Sequence, residues 1–312
     1  TGGTFTNNYA YNSSTPEKSL GGVIYANRCN VEILNATLNG NYAYSGGAVY
    51  MANTRTNGTQ YQLIVSNNVI FNHNNSHINY GGVIATDDKG TWQLIIDLSV
   101  IGNNKALYGA VAYAPNTDVH VLGGTKLGYS SASSSSVSYA NVGTNSGAFH
   151  LTGNSSFKVA LTETINDTTY GSTTTPQFLY SQASNGSGGV VYTEYSTIAN
   201  INIKAGNFST NSASNNGGVI YNAGSGDVII TGGSFVSNHA QNGGVVYTDS
   251  ANTVFAGATF ASNYASGSGG LYYSASKFPK VYVLGGTKIG YRGSSSSRAY
   301  SNYAVNNGGN FF

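Results

Sequence analysis

Three carboxylates fall at one place in a repeating pattern. Asp87, Glu194 and Asp249 each follow the first glycine of a Gly-Gly pair by six residues, so in a stacked repeat they project from one corner. Carboxylates close enough to share a substrate are what glycosidic cleavage needs, and carboxylates with an Arg or Lys base beside them can hold calcium for polysaccharide elimination. Spacing argues against both. If each repeat is one rung of a parallel sheet, Glu194 and Asp249 are two rungs and about 9.6 Å apart, with Asn222 near the rung between; Asp87 is about 14 Å from Glu194. That is the upper limit for an inverting pair, and solvated turn residues are the expectation. Asp87-Asp88 is half of a calcium site with no third carboxylate near it, and Asp227 in Gly224-Ser225-Gly226-Asp227 lacks the tandem nonapeptides of calcium-loaded β-rolls. His73 and His77 have the spacing of zinc ligands on a helix, but in an extended, Asn-rich context they stand about 13 Å apart. Serine is plentiful without a Gly-x-Ser-x-Gly elbow. No catalytic residue, metal or cofactor is expected, and the chain does not read as an enzyme.

The feature that suggests a working surface is aromatic. Seven copies of one pattern occur: Gly21-Gly22-Val23-Ile24-Tyr25, Gly46-Gly47-Ala48-Val49-Tyr50, Gly81-Gly82-Val83-Ile84-Ala85, Gly188-Gly189-Val190-Val191-Tyr192, Gly217-Gly218-Val219-Ile220-Tyr221, Gly243-Gly244-Val245-Val246-Tyr247 and Gly269-Gly270-Leu271-Tyr272-Tyr273. The fourth position is bulky and apolar, and the fifth is Tyr25, Tyr50, Tyr192, Tyr221, Tyr247 or Tyr273 in six of them. Strand side chains alternate faces, so the two positions cannot both be inside. With the fourth in the core, the fifth forms an outward Tyr ladder suited to stacking on sugar rings or on a neighbouring filament. The competing arrangement packs these tyrosines inward or under loops.

These positions are set by a solenoid. Looser copies sit at Tyr108-Gly109-Ala110-Val111, Ser146-Gly147-Ala148-Phe149 and Gly308-Gly309-Asn310-Phe311. Many copies follow an aromatic with Asn three residues on: Phe5/Asn8, Phe71/Asn74, Phe208/Asn211, Phe235/Asn238 and Phe260/Asn263. Between the two elements run β-branched stretches such as Leu94 to Ile96 and Val228 to Ile230. Three short strands per repeat, with Gly and Asn corners and no helical periodicity, predict an all-β fold, a right-handed parallel β-helix of about ten three-strand coils. Glycine supplies positive φ and close approach at one corner, and asparagine tolerates the left-handed region and bonds its stacked equivalents at another. The whole of 1–312 reads as one β-helix. Val121 to Tyr129 recurs as Val283 to Tyr291, which divides it into two five-coil super-repeats, about 1–150 and 151–312. Serine- and threonine-rich stretches, Ser130 to Ser136, Thr168 to Thr175 and Ser294 to Ser297, are expected to bulge from the rod as loops.

Composition fits this reading. Only 8% of residues are charged, the net charge is +2, and 25 Tyr and 12 Phe supply a core that 42 Gly would otherwise deny. Lys and Arg are scattered, which excludes a nucleic-acid partner. Cys29 is the only cysteine, and no apolar run approaches the length of a membrane helix, so no transmembrane segment is expected. The sequons, Asn57 and Asn185 among them, are as frequent as chance makes them in so Asn-rich a chain; those two are the plausible glycosylation sites. No polar cap is evident at either end, which predicts further coils of the same chain or identical subunits stacking head to tail.

Paired Gly-Gly-(Ala/Val)-(Ile/Val) and Phe-x-x-Asn elements resemble the repeat of the chlamydial polymorphic outer-membrane proteins, also met in adhesin-like surface proteins, over nearly the whole chain. The resemblance implies a secreted β-helical passenger that serves adhesion, although no barrel-like region accompanies the repeats here. The expectation is an extracellular or cell-surface structural and adhesive solenoid, a subunit or segment of a filament. The alternatives are a single-chain adhesin that binds glycans or a host surface, and a polysaccharide-degrading β-helix.

Overall fold

The computed structural model describes residues 2–312 except 55–57, 78, 132, 196, 277–278, 293–294 and 297–299. It is a parallel β-helix. Among the described residues, four long sheets run the length of the molecule, two of ten strands and two of nine, and every pairing within them is parallel. Each sheet takes one strand from each successive coil, so a strand's neighbours are its equivalents one rung below and above.

One coil shows how the sequence makes the sides. Ser234–Val236 carries Phe235 into the core; His239–Ala240 follows the Asn238 corner; Val246–Thr248 follows Gly243-Gly244; and Thr253–Phe255 closes the coil. The short strand after the asparagine makes each coil four-sided, where the spacing predicts three. Its cause is the corner before it. The residue ahead of the ladder asparagine, not the asparagine itself, takes the left-handed conformation, as at Thr210, Ser237 and Ser262 with φ of 58°, 56° and 56°. The chain therefore turns once before Asn and again at Gly-Gly, leaving two residues between to pair with their equivalents.

At Gly217-Gly218 the corner needs both glycines. Gly217 has φ +66°, and a Cβ on Gly218 would lie 2.3 Å from the carbonyl oxygen of Gly244 on the next rung. The Asn corner is a buried ladder. Asn211 donates from Nδ2 to Asn238 Oδ1 at 3.0 Å, Asn238 to Asn263 at 3.0 Å and Asn263 to Asn302 at 2.7 Å. Asn8, Asn41, Asn74, Asn104 and Asn141 repeat the arrangement below. Each interior Asn also donates to a carbonyl of the coil beneath, as Asn238 does to Phe208, so burial leaves these amides satisfied. Ser181 interrupts the ladder, and its buried hydroxyl has no partner.

Inside, Phe178, Phe208, Phe235 and Phe260 stack with centroids 4.4, 4.6 and 5.0 Å apart, all fully buried. The segments expected as bulging loops contribute to antiparallel hairpins: Tyr129–Ser131 with Ser134–Ser135, Thr162–Ile165 with Thr168–Gly171, and Tyr291–Arg292 with Ser295–Ser296, Ser294 and Ser297 lying outside the described residues. Short Ser- and Thr-rich arms can pair with themselves because they lie outside the coil and face no equivalent on the next rung. The middle hairpin folds back on the rod. Ile165 and Tyr170 cover Ile95 and Leu122, Gly171 N–H bonds Asp97 Oδ2 at 2.8 Å, and Glu163 Oε2 accepts from His120 Nδ1 at 2.7 Å.

Candidate functional site

The strand after Gly-Gly alternates as strands must. Val219, Ile220 and Asn222 are fully buried, whereas Tyr221 is half-exposed on the outer face. Parallel in-register pairing then places fifth-position rings over one another: Tyr221 is paired with Tyr192 below and Tyr247 above. Their rings stack at 4.9 and 5.1 Å, and Tyr247 stacks on Tyr273 at 5.0 Å. Tyr25 and Tyr50 stack at 5.9 Å with planes 1° apart. All six tyrosines therefore face outward, and the inward arrangement does not occur.

The column is longer than the pattern indicates. Below Tyr192 it continues through His150 at 4.7 Å and Tyr113 at 5.2 Å, and above Tyr273 it ends on Phe312 at 5.0 Å. Ala85 puts no ring on its rung, and Tyr80, from the corner ahead of Gly81, stacks on Tyr113 at 4.1 Å instead. His150 and Tyr113 were within reach of the sequence: each extends a loose copy of the repeat by a residue or two, to Ser146-Gly147-Ala148-Phe149-His150 and Gly109-Ala110-Val111-Ala112-Tyr113. Tyr80 was not, because it enters the column from another strand position. Packing of ring on ring half-buries the phenols, and that burial, with help from Asp249, pushes the Tyr247 hydroxyl up to about 12.

His150 replaces a tyrosine and comes with its own partners. It is 1% exposed; Nδ1 is 2.9 Å from Ser146 Oγ and Nε2 is 3.0 Å from Glu194 Oε1. The neutral tautomer with the proton on Nε2 satisfies all three groups, since the Ser146 hydroxyl donates to Nδ1 and accepts the Gly109 N–H. Burial holds the His150 imidazole below its usual value, against the pull of Glu194. The bond to His150, in turn, holds Glu194 below the usual carboxylate range. Ser146 pairs with Tyr108 below and Ser187 above, and with His150 it makes this coil depart from the repeat at two positions that bond each other.

The three repeat-related carboxylates are thereby given separate tasks. Glu194 bonds His150, Asp249 bonds the Tyr247 hydroxyl, and Asp87 accepts backbone N–H groups from Asn53, Lys89 and Gly90. His73 Nε2 lies 2.7 Å from Asn103 Nδ2, and His77 contacts the Tyr42 hydroxyl, so the two histidines do not share a ligand geometry. Among the described residues no group of three His, Cys, Asp or Glu side chains converges. Asn185 is exposed in the turn ahead of Gly188-Gly189, and Asn57 lies outside the described residues. No helix among the described residues is long and apolar enough to cross a membrane. Comparison with known proteins finds no match: no family model fits the sequence, and no curated protein or solved structure is significantly similar.

Proposed function

We propose that this chain is an extracellular structural and adhesive β-solenoid of the kind its repeat resembles, a segment or subunit of a surface filament whose outward ring column is the contact surface. The observation that carries the reading is the column itself. Seven rings in sequence, from Tyr113 through His150 and Tyr192 to Phe312, stand on one face at 4.7 to 5.2 Å spacing. A flat aromatic strip with polar edges is suited to lie along sugar rings or along the same strip of a neighbouring rod. Low charge supports association, since there is little self-repulsion to overcome.

A glycan-binding adhesin uses the same strip. The polysaccharide-cleaving alternative has less behind it, because Glu194, Asp249 and Asp87 are each held by a different partner. Two measurements separate the readings. Electron microscopy of the purified chain is expected to show filaments or bundles, and discrete short rods at all concentrations would contradict assembly. Tyr221→Ala combined with Tyr247→Ala is expected to reduce bundling or polysaccharide binding by about tenfold or more; unchanged bundling and binding would remove the column from the account.

A further inference from the structure

Among the described residues the ring column has an opening at Ala85, and it is lined with acid. At the Ala85 rung a cleft of 260 Å³ is bounded by Tyr50, Tyr80 and Tyr113 and by Asp87 and Asp88. Tyr50 stacks on Tyr25 below, and among the described residues no ring stacks on its upper face. Tyr80 and Tyr113, stacked on each other, stand opposite.

The acidic wall is held rigidly. The buried Trp92 donates from Nε1 to the Asp87 carbonyl at 2.9 Å, and Asn116 Nδ2 donates to the Asp88 carbonyl at 3.0 Å. Asp87 Oδ2 accepts the Asn53 N–H at 2.6 Å, and Oδ1 accepts from Gly90 at 3.2 Å and Lys89 at 3.3 Å. The Asp88 carboxylate is exposed, and among the described residues no ion pair forms to either acid. Burial, opposed by those backbone N–H groups, raises the Asp87 carboxyl above its usual range.

The upper face of Tyr50, the Tyr80–Tyr113 pair and two carboxylates without an ion pair around one opening are complementary to a cation with an apolar shell. A metal ion fits less well, since the Asp87 oxygens are already engaged by N–H donors and the remaining wall offers few oxygens. We propose that this cleft binds a small organic cation, an alkylammonium or quaternary ammonium head group, between Tyr50 and the Tyr80–Tyr113 pair and against Asp88. The head group can come from a lysine side chain or from a choline-like molecule. The site does not require the filament reading.

The test is a calorimetric or NMR titration of the full chain with choline, with n-butylammonium, and with 3,3-dimethylbutan-1-ol, the neutral carbon isostere of choline. Saturable binding of either cation at least about 10-fold tighter than the alcohol is expected, and the stronger of the two identifies the source. Asp88→Asn, at an exposed position, and Tyr50→Leu, which keeps apolar bulk without a π face, should each weaken cation binding about 3- to 30-fold while leaving the alcohol unaffected. Equal affinity for cation and alcohol, no binding by any of the three, or full affinity in both variants would overturn the assignment.

Discussion

Two columns of rings climb the same coils at the same pitch. Phe178, Phe208, Phe235 and Phe260 stack inside at 4.4 to 5.0 Å, and Tyr192, Tyr221, Tyr247 and Tyr273 stack outside at 4.9 to 5.1 Å. The agreement teaches that spacing comes from the rung repeat of the backbone, about 4.8 Å, and not from any attraction peculiar to either set. What differs is solvent. The phenylalanines lose all their exposure, whereas the tyrosines stay partly exposed. Stability resides in the inner column, and the outer one remains available for contact.

The largest expected effect tests the inner column. Phe235→Ala removes a fully buried ring between two others and should cost about 3 to 5 kcal/mol, read as a lower urea midpoint at unchanged slope. A loss no greater than that of an outer tyrosine would break the distinction.

A smaller, opposite change tests the ladder that aligns both columns. Ser181→Asn places an amide where Asn141 below has no ladder acceptor and Asn211 Oδ1 above is met by the Ser181 backbone N–H without a side-chain donor, and should raise stability by about 1 kcal/mol. A lower midpoint would mean that the coil entered from the Thr162–Ile165 hairpin cannot adopt the regular corner.

The finest test concerns acid. His150 titrates below its ordinary value in the folded chain, so the unfolded chain takes up the extra proton and stability declines as pH falls below about 6.5. Glu194 is depressed as well, so its contribution is present above the usual carboxylate range and is lost as pH falls through its lowered value. His120, also depressed by burial, adds to the first decline. His150→Gln should therefore shrink the difference in urea midpoint between pH 7 and pH 5, a difference that stays the same if His150 is charged at both.

Much of this was legible in the chain. Repeated Gly-Gly pairs, Phe-x-x-Asn and β-branched runs impose parallel rungs, because one glycine needs positive φ and the next admits a neighbouring carbonyl. The stacked asparagines and the outward face of Tyr221 follow from the same alternation. Three things escaped. The fourth side of the coil depends on a left-handed residue such as Ser237, whose type does not announce that conformation. The hairpins at Thr162–Ile165 and Tyr129–Ser131 have no periodic partner to betray them. The cleft at Ala85 arises because Tyr80, outside the pattern, and the Trp92-anchored turn at Asp87 meet only in three dimensions.

The division of labour between the columns can be measured in one pair of variants. Tyr221→Ala with Tyr247→Ala should lower stability by about 1 kcal/mol per ring or less and weaken bundling or polysaccharide binding about tenfold or more, while Phe235→Ala, assayed where it remains folded, lowers stability by several times as much and leaves binding intact. An outer double variant as unstable as Phe235→Ala, with its binding unchanged, would contradict the assignment of contact to the outer rings.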